Sequence, residues 1–387
     1  MYKIATLNKI SPVGLNKLTD DYTMVDDPLE ANGIIVRSQN MHDMEFGKDL
    51  LAIARAGAGV NNIPLSECSE QGIVVFNSPG ANANAVKELV LSGLLMAARN
   101  IPEAIDWSKT LSTDVLATVE KGKKQFAGSE LRGKVLGVIG LGAIGVLVAN
   151  ACKDLGMKVI GYDPYINVKS AHALKQSIPV MNDLAAMLPR CDYITIHVPV
   201  MDETRGMIDS RRLGQMKQGA VFLNFARDGL VNDKALIEAL DEGHLGRYVT
   251  DFPTDAIVNH KGVINMPHLG ASTKEAEDNC AAMAAEELMD YLENGNIENS
   301  VNMPACTMGP LNPKAEARIC IMNKNIPTML GKITSVLSDL NINIRDLTNK
   351  SKNDYAYNLI DIDGTTDSET LSQVFNIEGI IRARIIK

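Results

Sequence analysis

The sequence predicts an α/β protein built on two doubly wound parallel sheets, with a small α+β domain at the carboxyl-terminal end. Three observations carry this. Short Ile/Val-rich runs bounded by glycine or polar residues alternate with helical patterns as far as residue 295. That is the pattern of strands buried on both faces and linked by crossover helices. A glycine-rich turn, "GLGAIG" (140–145), lies directly between one such strand and one such helix. Beyond an Asn- and Pro-rich stretch at 296–314, the remaining segment changes to the order β-α-β-β-α-β, that of a ferredoxin-like domain.

Taken in order, "GIIVRS" (33–38), "LLAIARAG" (50–57) and "GIVVFN" (72–77) read as buried parallel strands. "NAVKELVLSGLLMAARNI" (84–101) follows as a long, largely apolar helix. A second series opens at "GKVLGVIGLGAIG" (133–145). It continues through the strands "KVIGYD" (158–163), "DYITIHVP" (192–199), "GAVFLNFA" (219–226), "RYVTD" (247–251) and "GVINMP" (262–267). Strand and helix recurring at this spacing indicate a Rossmann-like doubly wound sheet. The helix over 272–295 then leads out of this domain. In the last segment "EARICIMN" (316–323) is a strand and "PTMLGKITSVLSDL" (327–340) a helix. Two strands, "INIRDLTNK" and "YAYNLIDID", a short helix "ETLSQVF" and a closing strand "IIRARIIK" complete it. The expected domains are 1–98 plus 285–305, then 99–284, a linker at 306–315, and 316–387.

Composition bounds the function. At 387 residues the chain is too long for one ordinary core. Its net charge of −9 argues against nucleic acid or an anionic membrane as partner. No apolar run reaches the ~18 residues of a membrane span, and the amino-terminal "MYKIATLNKI" lacks the apolar core of a signal peptide. The six cysteines are scattered without a CxxC pair. Reduced thiols in a cytoplasmic protein, with no metal site, are therefore expected.

The glycine turn supplies Gly140, Gly142 and Gly145 in the context where such spacing has mechanical meaning. The first glycine makes the tight turn, the second lets backbone approach a pyrophosphate, and the third lets helix pack on strand. The helix amino terminus offers unpaired N–H groups to the phosphates. Asp163 closes the next strand, where a carboxylate would accept from the adenosine ribose hydroxyls and repel a 2′-phosphate. NAD is therefore expected over NADP. His268 follows the strand "GVINMP" and Arg227 follows "FLNFA". Both lie at carboxyl-terminal strand ends, where open α/β sheets hold ligands. A guanidinium there can grip a carboxylate bidentately, and an imidazole can move a hydroxyl proton. A surface arginine and a capping histidine are the bland alternatives. His197, ending "YITIH", is the other histidine at such a strand end.

These residues sit in a chain that resembles the D-2-hydroxyacid dehydrogenase family nearly end to end. The resemblance runs through "ARAGAGVNNI" (54–63), "NSPGANANAVKELV" (77–90), "GKVLGVIGLGAIG", "GYDP", "IHVP", "NFARDGLV" (224–231), "FPTD" and "PHLGASTKEA" (267–276). The last string is closest to members that act on phosphoglycerate. The resemblance implies NAD-dependent oxidation of 3-phospho-D-glycerate to 3-phosphohydroxypyruvate, the step that opens L-serine synthesis. The first domain would bind the substrate, 3-phosphoglycerate, and the second NAD, with the active site in a cleft between them. Arg227 would bind substrate and His268 would serve as acid/base. NAD would be contacted by Ser78, by the glycine loop with Ala143 and Ile144, and by Asp163, His197, Val198 and Pro199. Phe225, Ala226, Arg227, Asp251, His268, Gly270 and Ala271 complete that set. Arg55, Gly57 and Asn82 would face the substrate, with Arg37 and Lys123 as further phosphate candidates.

The family's D-V-F-x-x-E pattern is shortened here to "DFPTD" (251–255). The resemblance puts Asp251 on the NAD side and Asp255 where the histidine's glutamate partner stands, one methylene shorter. The last seventy or so residues resemble an ACT domain, a regulatory module that can bind L-serine across a two-fold interface. Asn325 and Asn343 match the positions whose amides hold serine, and Asn323 stands where a histidine can occur. Thr328 replaces the glycine that usually follows the proline. The resemblance also implies a homodimer or homotetramer. The rival functions are another D-2-hydroxyacid dehydrogenase, acting on glycerate or glyoxylate, and a dinucleotide-sensing, corepressor-like protein.

Overall fold

The structure, a computed structural model, describes residues 1–363 and 368–387. Packing divides the chain into two compact units: Met1–Ala81 with Glu277–Lys387, and Asn82–Ala276. The first unit holds a five-stranded parallel sheet of β1 (Tyr2–Leu7), β2 (Tyr22–Met24), β3 (Gly33–Val36), β4 (Ala52–Arg55) and β5 (Val74–Asn77). Their order is β2-β1-β3-β4-β5. Strands β3 to β5 fall on the three apolar runs read from the sequence. Strand β1 was not legible as one, because Lys3 and Thr6 interrupt its apolar run. It is nevertheless internal, paired to β2 on one side and β3 on the other.

The second unit carries α1 (Ala83–Arg99) and a seven-stranded parallel sheet. Its strands are β6 (Val135–Ile139), β7 (Lys158–Tyr162), β8 (Val180–Met181), β9 (Tyr193–Ile196), β10 (Ala220–Asn224), β11 (Leu245–Thr250) and β12 (Val263–Asn265). The order β12-β11-β10-β9-β6-β7-β8 reverses direction beside β6, the switch point at which such sheets open a crevice. Helix α2 (Ala143–Asp154) follows the glycine loop. The expected boundary at 98/99 falls instead at 81/82, because α1 is packed here. Val86, Val90, Leu94, Ala97 and Ala98, spaced at three to four residues, share a core with Leu136, Val138, Val146 and Phe225. Each Val or Leu side chain among them contributes about 1.5–3 kcal/mol on burial. Gly93 lets α1 approach closely, since a β-carbon there would lie 2.9 Å from the Phe225 ring.

Helix α3 (Lys274–Asn294) leads to the carboxyl-terminal sheet of β13 (Ala317–Lys324), β14 (Asn343–Lys352), β15 (Tyr355–Asp363) and β16 (Ile380–Ile386). The sheet is antiparallel throughout, in the order β14-β15-β13-β16. Helices α4 (Met329–Asp339) and α5 (Ser368–Phe375) complete the expected β-α-β-β-α-β sequence, of which residues 364–367 lie outside the described residues.

Alternate residues of these strands face two different cores. Ile319, Ile321, Ile360 and Ile362 pack with Ile333 and Leu337 of α4. Cys320, Met322, Tyr357 and Leu359 pack with Phe76, Ala284, Leu288 and Tyr291. The carboxyl-terminal sheet therefore shares a core with the first sheet. Polar bonds reinforce the junction. The Arg384 guanidinium donates to the carbonyls of Leu292 (2.9 Å) and Tyr291, and the Tyr357 hydroxyl donates to Gly295 O at 2.7 Å. The Asn- and Pro-rich stretch is likewise packed: Ile297, Met303 and Cys306 are buried, and Val301 N donates to Val75 O at 2.9 Å.

Candidate functional site

In the second unit every strand from β6 to β12 is parallel, so their carboxyl-terminal ends form one rim. The glycine loop follows β6. Gly140 adopts φ +88, and a β-carbon there would meet His197 O at 2.7 Å. A β-carbon on Gly145 would lie 1.9 Å from Gly140 O, whereas one on Gly142 would meet no atom within 4 Å. The first and third glycines are thus required by the fold, and the second faces open space. Gly142 also caps α2, whose first turn begins at Ala143 and Ile144 with its N–H groups unpaired by any side chain.

Asp163 stands just past β7. Its Oδ2 accepts from Leu141 N (2.8 Å), which ties it to the glycine loop, and its Oδ1 accepts from Tyr165 N (2.8 Å). Each oxygen keeps a lone pair for a further donor. Past β9, His197 Nε2 pairs with the Thr195 hydroxyl at 3.0 Å, while Nδ1 is buried without a partner. Burial pushes this imidazole down to about 3, so it is neutral at any working pH. Val198 and Pro199 follow on the same loop. An open face at Gly142, a carboxylate beside the loop and an orphaned ring nitrogen suit a dinucleotide.

The neighbouring strand ends carry the reactive groups. Registered pairing aligns Asn224, Thr250 and Asn265, the last residues of β10, β11 and β12. Arg227, Asp251 and His268 lie within three residues of those ends. Two residues that sequence reasoning missed shape these loops. The buried Asn224 accepts from Ala226 N (3.1 Å) and donates to Arg227 O (2.9 Å), closing a tight turn under Arg227. The Thr250 hydroxyl donates to Asn224 O at 2.8 Å, tying the two loops together. An Asn ending a strand two residues before "AR" was the available signal. Phe225 and Ala226 are buried on this turn. The Arg227 side chain is exposed, with Nη1 donating to Ala226 O at 2.7 Å.

Asp251 is 1% exposed. Its Oδ2 accepts from Gly270 N at 2.9 Å, and its Oδ1 is buried without a partner. Burial raises this carboxyl, while the Gly270 N–H and the His268 charge lower it. Gly270 is buried in this contact, with Ala271 next to it. Phe252 lies against the His268 ring, centroids 4.5 Å apart. Asp255, expected to partner His268, is exposed on a turn, and His268 is exposed as well. His260 with Asp241 is the one histidine–carboxylate ion pair among the described residues.

The first unit's candidates are more engaged than the sequence suggested. Ser78 is fully buried, its hydroxyl 3.0 Å from Arg55 O and 2.9 Å from Cys280 O, so it ties the end of β4 to α3. Arg55 Nε donates to Arg37 O at 3.1 Å. Its guanidinium lies over Gly57, where a β-carbon would sit 2.4 Å from Nη1. Arg37 pairs with Glu277 at 2.7 Å. In the second unit Lys123 pairs with Glu120 one turn away, and Asn82 precedes the first turn of α1 without a side-chain capping bond.

In the carboxyl-terminal sheet Asn323 is buried, accepting from Asn358 Nδ2 at 2.8 Å, while Asn358 accepts from Asn349 at 2.6 Å. Asn325 donates to Asn353 O (2.9 Å) and Asn343 to Asp363 (2.9 Å). Thr328 adopts φ +71.

The family model described as "D-isomer specific 2-hydroxyacid dehydrogenase, NAD binding domain" matches residues 91–270. A D-3-phosphoglycerate dehydrogenase of Haemophilus influenzae is 32% identical over 364 residues, 89% of this chain and 83% of that relative. The chain belongs to the D-isomer specific 2-hydroxyacid dehydrogenase family. Its second unit is the NAD binding domain of that family. A D-3-phosphoglycerate dehydrogenase of Methanocaldococcus jannaschii is 39% identical over 284 residues, 71% of this chain. The chain spans about half (52%) of that relative's length. A solved structure of NAD+-bound 3-phosphoglycerate dehydrogenase from Entamoeba histolytica superimposes with a TM-score of 0.62 at 26% identity, covering 78% of this chain and 98% of that one. Among the described residues no helix is long and apolar enough to cross a membrane.

Proposed function

We propose that the protein is an NAD-dependent dehydrogenase that oxidises 3-phospho-D-glycerate to 3-phosphohydroxypyruvate, opening L-serine synthesis. One observation carries the chemistry: an arginine, a buried carboxylate and a histidine follow three adjacent, registered strand ends beside a glycine loop. NAD, when bound, accepts the hydride from substrate C2. The glycine loop would receive its pyrophosphate, Asp163 its adenosine ribose and His197 Nδ1 a further donor. Arg227 grips the substrate carboxylate and polarises the adjacent carbonyl as it forms. His268 takes the hydroxyl proton. Arg55 is the first candidate for the phosphate, with Arg37 and Lys123 behind it, and Gly57 and Asn82 border the substrate.

The preference for a phosphorylated substrate rests on the names of the relatives. The carboxyl-terminal sheet is read as an ACT domain with an L-serine effector at Asn325 and Asn343, in a cytoplasmic homodimer or homotetramer. Turnover of 3-phospho-D-glycerate against D-glycerate, by NADH absorbance, tests the substrate. A higher kcat/KM for the phosphorylated acid supports the reading, and preference for glycerate replaces it with a glycerate dehydrogenase. Inhibition by millimolar serine tests the effector.

A further inference from the structure

We infer that Asp251, and not Asp255, supplies the negative charge that balances His268 when it carries a proton. The inference rests on the dehydrogenase reading and deepens it. The shortened loop "DFPTD" leaves its second acid exposed, where water screens a carboxylate, and no ion pair joins it to His268 among the described contacts. The first acid is the buried one. Its Oδ2 is held by the N–H of Gly270, two residues beyond His268, and its Oδ1 is buried with no partner. The residue after it, Phe252, lies against the His268 ring at 4.5 Å. Residues 251–252 therefore hold both the backbone and the ring of the histidine loop.

A carboxylate this deeply buried with one oxygen unpaired is costly unless a cation accompanies it. The cation acting on Asp251 is His268. Arg227, on the adjacent loop, spends Nη1 on Ala226 O and forms no ion pair with either residue among the described contacts. In oxidation the substrate hydroxyl proton passes to His268, and the charge that appears on the ring is offset by Asp251. In reduction the same proton returns to the new hydroxyl. Asp251 stays ionised throughout and exchanges no proton, so it is a positioning and charge-balancing residue.

The test compares Asp251→Asn with Asp255→Asn in the full chain, following 3-phosphohydroxypyruvate reduction against pH. Reduction needs protonated His268, and a nearby anion favours the charged ring. Removing the anion moves the alkaline limb of kcat/KM to lower pH. Asp251→Asn is expected to shift the limb so, and Asp255→Asn to leave the limb in place. Asp251→Glu, which restores the charge, should return the limb toward wild type even if the amide variant folds poorly. A limb moved by Asp255→Asn instead, or by both equally, overturns the inference. So does Asp251→Asn that weakens NADH binding about tenfold or more with the limb unmoved, which would make it a cofactor contact. If no 2-oxo acid is reduced, the dehydrogenase reading falls. The His268 ring titration by NMR in the same variants then still decides whether the two residues are coupled.

Discussion

Two buried charged groups in this chain are treated in opposite ways. Arg318, in the carboxyl-terminal sheet, is fully buried, and its guanidinium is saturated. Nε and Nη2 bond Asp361 at 2.6 and 3.0 Å, and Nη1 bonds Asn294 O and Gly309 O. Asp251, at the rim of the second unit's sheet, is equally buried but has one oxygen satisfied and the other not. His197 Nδ1 nearby is also orphaned. Both groups pay for leaving water, and only the first is fully hydrogen-bonded within the chain. A complete network holds a fold together, whereas an incomplete one at a strand-end rim is kept for something that arrives. Arg384 Nε is a mild exception, lacking a partner although the guanidinium sits over the Tyr291 ring at 4.5 Å.

The contrast can be broken from either side. On the incomplete side, His268→Asn should cut turnover about 10²- to 10⁴-fold while leaving the unfolding midpoint unchanged. A normal rate would remove the rim from the chemistry. On the complete side, Arg318→Met strands the Asp361 carboxylate and should cost about 3–5 kcal/mol in denaturant unfolding. The double variant Arg318→Met/Asp361→Leu should recover most of that loss. A cost below about 1 kcal/mol would show that the network does not hold the sheet.

Gly142→Ala separates binding from folding at a single atom. Its β-carbon meets nothing within 4 Å in the chain, so stability should hold while NADH affinity falls roughly tenfold, about 1.4 kcal/mol.

Glu287 probes an orphan away from the rim. Its Oε1 accepts from Asn299 at 2.6 Å and its Oε2 is buried without a partner. Burial pushes the carboxyl to about 8, with Glu298 and Glu286 adding to the rise. A raised folded-state value means stability is fully present below the usual carboxylate range and is lost as pH rises toward about 8. Glu287→Gln should therefore gain on wild type progressively across that window, and parallel curves would contradict it. The smallest effect belongs to Thr328, a β-branched residue at φ +71. Thr328→Gly should stabilise by no more than about 1 kcal/mol, since strain relief is partly offset by chain entropy.

What was legible in the sequence follows how local each signal is. The glycine loop and Asp163 were read directly, because a turn and the strand after it are fixed by spacing. The strand ends bearing Arg227 and His268 were legible from apolar runs of ordinary length. The burial of one acid and the exposure of the other were not. Whether Asp251 is buried depends on Gly270, 19 residues on, and nothing between them encodes that contact. The sharing of a core between the first and last sheets was equally hidden. Tyr357 and Gly295 are 62 residues apart, and an Asn- and Pro-rich stretch reads as a spacer whether or not it packs. The packing of Ser78 was hidden in the same way, since a hydroxyl before "PG" gives no sign that two carbonyls claim it.

The most direct measurement uses 3-phospho-D-glycerate deuterated at C2, with NAD and the wild-type chain. NADH is expected to form carrying the deuterium, more slowly than from the protonated acid, and Arg227→Ala and His268→Asn should each slow the transfer at least about 10²-fold. NADH without deuterium, or transfer undiminished by loss of both side chains, would contradict the dehydrogenase reading.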